Sequence, residues 1–175
     1  DVPHELEIVA TDSIAHWSVA TGASAEKVNK NGFGTYRAPD YDTLVDCPVE
    51  MGAFWSGSFD ACGIPHRFVV AGAPASFDGA KLLADTQALC EEEIRFWHGN
   101  TKSIKNHSSP RNEFEGQGPI PFKNYVFMLN AVADGYGGLE HGNSTALISD
   151  RKDLPRLERS TLAPSTHKQP EGYTT

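Results

Sequence analysis

The stretch YVFMLNAVADGYGGLEHGNSTALIS, residues 125–149, decides how this chain is read. Residues 125–132 form an aromatic and β-branched run that predicts a buried strand. Residues 145–149 predict a second, shorter one. Between them lie Gly135, Gly137 and Gly138, followed at once by Glu140 and His141. Two readings of this segment stand side by side. Asp-Gly and Gly-Gly between strands are ordinary hairpin punctuation, with the Glu and His solvated or ion-paired. Alternatively, glycines on a strand edge let another chain approach without a Cβ in the way, and Glu140 stands ready to meet a positive charge.

Upstream, the pattern is β-rich. Short strands are expected over 6–10 and 17–20, a loop over 22–31, and extended chain at 35–37 before Pro39. Residues 41–46 suggest a single helical turn or bend, with its outer acids Asp42 and Asp46 facing water. Residues 51–59 carry large apolar side chains amid glycines, as a strand with a tight corner does. From Ile64 the pattern changes. A compact strand at 66–72 is followed by Ser76 or Asp78 as helix N-cap, and then by a helix to about Trp97. Its apolar stripe is Leu83, Cys90, Ile94 and Trp97, flanked by Leu82, Thr86 and Leu89, which predicts packing on a sheet. Glu91, Glu92 and Glu93 read as its solvated side, and Arg95 and His98 suit its negative end.

These signals predict an α+β fold. Residues 1–63 are expected to be the trailing strands of an N-terminal β domain. Residues 64–155 are expected to form a mixed β-sheet with one long helix. Within the second part, 100–118 reads as a mobile loop and 156–175 as a poorly ordered tail.

At 175 residues with 39% hydrophobic and 22% charged residues, the composition is that of a globular protein. A formal net charge of −8 without any basic run argues against nucleic acid or an anionic membrane surface as partner. No apolar stretch approaches the length of a membrane helix. The opening residues lack a Met and a signal-peptide pattern, and read as cut from something longer. Cys47, Cys62 and Cys90 are widely spaced and odd in number. They read as thiols of a reducing compartment, which favours the cytoplasm; a Cys47–Cys62 pair is the alternative.

Peptide hydrolysis with zinc needs two His on one helix face, a third ligand and a Glu base, usually as H-E-x-x-H. None of the seven histidines completes that motif. His4-Glu5 begins it, but Ile8 stands where the second His should be. No catalytic or metal-binding residue is therefore expected in this chain, and no zinc on it. A Ser or Cys hydrolase is disfavoured too, because no G-x-S-x-G elbow occurs and no thiol has an evident His partner.

Several separated segments nevertheless carry a resemblance. YGGLEH at 136–141, NST at 143–145 and RKDLP at 151–155, with PFKNYVF at 121–127, DYDTLVDCPVEMG at 40–52 and WSVATG at 17–22, resemble the glycyl aminopeptidase family of zinc metallopeptidases. The order is preserved along nearly the whole chain, 100–118 excepted. One departure is Gly142, where an Arg is expected.

The resemblance implies a fragment ending before the zinc-binding helix of a thermolysin-like catalytic domain, with zinc and a PDZ domain in the missing part of the parent. By position it implies that Gly137 and Gly138 present backbone to a peptide substrate with a free N-terminus. Glu140 would take that substrate's α-ammonium. His141 would position substrate or Glu140, or simply make a structural hydrogen bond. Tyr125 and Tyr136 are expected to pack. The activity implied is release of small N-terminal residues, Gly or Ala, with the fragment inactive alone. The alternative is a non-catalytic module that captures free N-termini, and a third reading is a β-rich domain whose glycine hairpin binds nothing. Exposed strand edges also lead us to expect a homodimer.

Overall fold

The computed structural model describes residues 2–99 and 119–157. The segment at 100–118, expected as a mobile loop, and most of the tail at 156–175 lie outside the described residues.

The N-terminal part is built from short strands. β1 (His4–Ile8), β4 (Gly34–Ala38) and β3 (Ser24–Val28) form a three-stranded sheet in the order β1-β4-β3. β2 (Ser18–Thr21) pairs with β5 (Val49–Gly52) in a two-stranded sheet. β3 falls where a loop was expected. Its five residues are all exposed and carry no alternation, so it exists through backbone pairing to β4, with an irregularity between Ala25 and Lys27. Val19, Phe33 and Tyr36 close a small core between these layers.

The expected single helical turn is α1 (Tyr41–Val45), capped by Asp40, whose side chain accepts from Thr43 N. Residues 51–59 are two strands rather than one. β5 ends at Gly52, and β6 (Trp55–Ala61) begins after the break at Ala53 and Phe54.

β6 forms a hairpin with β7 (Ile64–Ala71), and Gly63 turns it with φ 84°. The boundary expected at residue 63 therefore cuts a hairpin of one sheet. That sheet has five strands in the order β6-β7-β8-β10-β9, where β8 is Tyr125–Val132, β9 is Tyr136–Glu140 and β10 is Ser144–Asp150. β8 runs parallel to both β7 and β10, while β9 is antiparallel to β10. After β8 the chain therefore steps out to the edge, forms β9, and returns between the two as β10. The sheet is mixed, as the sequence predicts.

α2 (Gly79–His98) starts at Asp78, whose carboxylate accepts from Lys81 N at 3.0 Å. Leu82 and Leu83 of its first turns pack on Phe68, Val70, Leu129 and Ala131 of the sheet. Ile94 is buried, but Leu89 and Trp97 from the expected apolar stripe stand 68% and 46% exposed. Trp97 instead lies edge-on to Phe96 on its own helix and donates to Glu93 rather than to the sheet. The opposite sheet face is covered by the N-terminal part, through Ala20 and Phe54 against Val69, Val126 and Met128. Arg67 ties the two parts together, donating from its guanidinium to Val19 O at 3.1 Å. Among the described residues the sheet thus has elements packed on both faces and β9 as an unpaired edge.

Candidate functional site: an open strand edge with a tied corner

The glycine segment is strand, and the turn comes after it. Gly137 and Gly138 sit inside β9, all five residues of which are exposed. The hairpin-punctuation reading fails because these residues pair with Ile148 and Leu147 of β10. Tyr136, expected to pack, is 98% exposed. At the start of the edge strand it pairs with Ser149 on one side, and among the described residues no strand pairs with it on the other.

The hydrogen-bond alternation fixes which backbone groups are free. His141 N donates to Ser144 O at 2.8 Å, which makes that pair hydrogen-bonded and its neighbours along the ladder alternate. Leu139 and Gly137 then face their partners on β10 with both backbone groups. The Thr145 hydroxyl, 3.2 Å from Leu139 O, points the same way. Tyr136, Gly138 and Glu140 are left with N–H and C=O directed outward. Of the two glycines, Gly138 presents its backbone, whereas Gly137 presents an empty side-chain position. No heavy atom lies within 4 Å of where a Cβ on Gly137 would stand.

Glu140 ends the strand. Opposite Thr145, it shares the sheet face with Phe127 and α2. It is exposed, and among the described residues no Lys, Arg or His forms an ion pair with it. Its charge is felt by Tyr125, whose phenol is raised above the ordinary tyrosine value first by burial and then by the negative potentials of Cys90 and Glu140. That hydroxyl donates to Ser144 O at 3.1 Å, so Tyr125 both packs, as expected, and supports the start of β10. Behind it, His66 is buried between Phe59, Phe122 and Phe127, and burial holds its imidazole below the usual histidine value.

The corner after β9 is tied twice to the N-terminal part. Asp46, which follows α1, accepts from His141 Nδ1 at 3.0 Å and from Gly142 N at 2.7 Å. Those two bonds, the backbone one first, hold its carboxyl below the ordinary aspartate range. Asn143 Nδ2 donates to Gly22 O at 2.7 Å, and Gly22 fits so closely under that side chain that a Cβ would overlap it. Asp46 was expected to face water, and sequence reasoning missed its role. Its only signal was membership of the 40–52 block, since nothing local links it to a residue so far along the chain. A cleft of about 910 Å³ with a mixed lining opens beside this corner, bounded among others by Asp42, Asp46, Arg37, Phe122, Lys123 and His141.

Among the described residues no three His, Cys, Asp or Glu side chains converge as a metal shell. The described residues therefore do not fit a zinc ion. Cys47, Cys62 and Cys90 are all unpaired. Among the described residues no helix is long and apolar enough to cross a membrane.

The chain thus holds a mixed sheet with one long helix and an open antiparallel edge, and the comparisons support a peptidase family. Residues 1–53 match the family described as the Peptidase M61 N-terminal domain. The chain is similar to the aminopeptidase N family protein of known structure from Idiomarina loihiensis, with 31% identity and a TM-score of 0.74 over 98% of this chain. It spans 24% of that protein's length. No curated protein matches it.

Proposed function

We propose that this chain is the substrate-anchoring part of a larger zinc aminopeptidase that releases small N-terminal residues such as Gly and Ala. The observation that carries the reading is the bare edge of β9. Gly138 offers its N–H and C=O outward, and Glu140, unpaired and exposed, closes the strand. A peptide lying antiparallel to β9 brings its amino end next to Glu140, and its backbone adds a sixth strand to the sheet. Glu140 then selects a free α-ammonium and measures the peptide from that end. The zinc and the base that activates water would come from the rest of the larger protein. Three unpaired thiols favour a reducing compartment, the cytoplasm, for it.

The magnitudes are modest. Each backbone hydrogen bond nets roughly 0.5–1.5 kcal/mol, and an exposed ion pair about 0.2–1 kcal/mol. Set against the cost of association, this gives a dissociation constant on the order of millimolar for the chain alone. NMR titration with triglycine amide tests it. Shifts confined to β9 and its neighbours, weakened by N-acetylation of the peptide and by Glu140→Gln, are expected. Equal binding of free and acetylated peptides would refute amino-end capture. Lengthening the chain to the whole parent protein should add stoichiometric zinc and hydrolysis of Gly- and Ala-initiated substrates. Binding without either would leave a non-catalytic capture module instead.

A further inference from the structure

We propose that Asp46 is a positioning residue for amino-end capture, holding Glu140 at the lip of β9 through the corner that follows it. This inference rests on the reading of β9 as the peptide edge. Glu140 is itself a non-hydrogen-bonded position on the β10 ladder, so its backbone has no ladder bond of its own. The last such bond is made one residue later, from His141 N to Ser144 O. Strand ends fray, and an end that frays at His141 carries Glu140 with it. Asp46 closes that route with one oxygen on His141 Nδ1 and the other on Gly142 N.

The arrangement assigns His141 as well. An ionised carboxylate only accepts, so the hydrogen on Nδ1 must point at Asp46, and the neutral imidazole is held as the Nδ1–H tautomer, the one less favoured in water. The His141 side chain is 12% exposed. Along the strand it alternates to the sheet face opposite Glu140. His141 is therefore part of the tie and not of the ammonium site, which resolves the two roles the sequence left open for it. Gly142 suits the same geometry, because Asp46 Oδ2 lies 3.0 Å from where a Cβ there would stand. Any side chain at this position would require the carboxylate to give by a few tenths of an ångström, which glycine avoids.

The test separates positioning from general loosening by reading the preference for a free amine rather than affinity alone. In the wild-type chain, triglycine amide should bind up to about fivefold better than its N-acetyl counterpart, the range of an exposed charge pair. Asp46→Asn, which can accept only one of the two bonds, should bring that ratio to about one. Acetylated-peptide binding should change less. His141→Asn keeps a donor at the Nδ1 position and should retain the preference, whereas His141→Leu should lose it. Imidazole nitrogen shifts of the wild-type chain should report the Nδ1–H tautomer in the neutral form. An Nε2–H tautomer, or a free-amine preference untouched by Asp46→Asn, would overturn the proposal. A wild-type chain that shows the tautomer but no free-amine preference would refute the reading of Glu140 instead. Equal losses for both peptides in Asp46→Asn would show plain destabilisation and likewise overturn the proposal.

Discussion

Replacing Gly137 with Val should make the chain more stable and worse at holding a peptide. Gly137 lies in the middle of β9, is not among the glycines with positive φ, and has no heavy atom within 4 Å of a Cβ position. Nothing in the described structure requires it to be glycine. A glycine in a strand costs roughly 0.5–1 kcal/mol in backbone freedom and lost packing, which a β-branched residue recovers. For a domain of this size that corresponds to a rise of about 1–4 °C in melting temperature. Binding responds in the opposite direction. A peptide on the outer edge would meet Gly137 as a non-hydrogen-bonded pair, with Cα atoms about 4.5 Å apart, where side chains crowd most. Crowding of about 1–3 kcal/mol weakens capture by roughly fivefold to a hundredfold. Thermal unfolding followed by circular dichroism gives the first quantity, and NMR titration with triglycine amide the second. A Gly137→Val chain that melts higher and binds the peptide as tightly as wild type would refute close approach at this edge. One that melts several degrees lower would show that the fold needs the glycine after all.

Gly79→Ala should destabilise in urea unfolding, because a Cβ there would overlap the indole of Trp55, which Phe77 holds edge-on at 5.1 Å. Overpacking of about 1–3 kcal/mol outweighs the helix-propensity gain, which falls short of its interior value of about 1 kcal/mol because Gly79 is the first residue of α2. Asp46 has a lowered folded-state pKa, so its tie contributes stability that is present above the ordinary aspartate value and is lost as pH falls through the depressed one. Acid unfolding of Asp46→Asn should accordingly lack part of the wild-type pH dependence below about pH 4. The Cys90 thiol is pushed up to about 11 by burial, so at pH 8 it should react with iodoacetamide far more slowly than Cys62, as peptide mass mapping would show. Self-association, if it uses β9, should be suppressed by Tyr136→Lys at the same edge in sedimentation experiments, leaving monomers.

Much of the fold was legible because its signals are local. The aromatic and β-branched run of β8, the Asp78 cap and the strand before Gly72 each declare themselves within a few residues. β3 did not, since Ser24–Val28 is exposed on every residue and owes its existence to a partner strand rather than to its own pattern. Leu89 and Trp97 fit the helical period, yet periodicity describes the face of a helix and not the width of the sheet beneath it. At the candidate site, the sequence singled out Gly137, Gly138 and Glu140 but could not say which glycine turns its backbone outward. That depends on ladder phase, which is set by the His141 to Ser144 bond. Asp46 was invisible for a related reason, because its bonds cross from the N-terminal part to β9 through tertiary packing alone.

Edge strands are ordinarily protected by Lys, Pro, a bulge or a covering element. Along Tyr136–Glu140 β9 has no Lys, Pro or bulge, none of the described residues covers it, and Tyr136 and Leu139 are 98% and 62% exposed. Its geometry is nevertheless held from beyond its end, by Asp46 on His141 and Gly142 and by Asn143 on Gly22. An edge that only needed to be tolerated would gain nothing from two side-chain ties at its corner, each made to a different part of the N-terminal layers. An edge that must present Glu140 at a fixed distance from Gly138 gains registration from both. On the reading we propose, the unprotected strand and the tied corner are one arrangement: the backbone groups of β9 stay available, and the position of its acid stays fixed while they are.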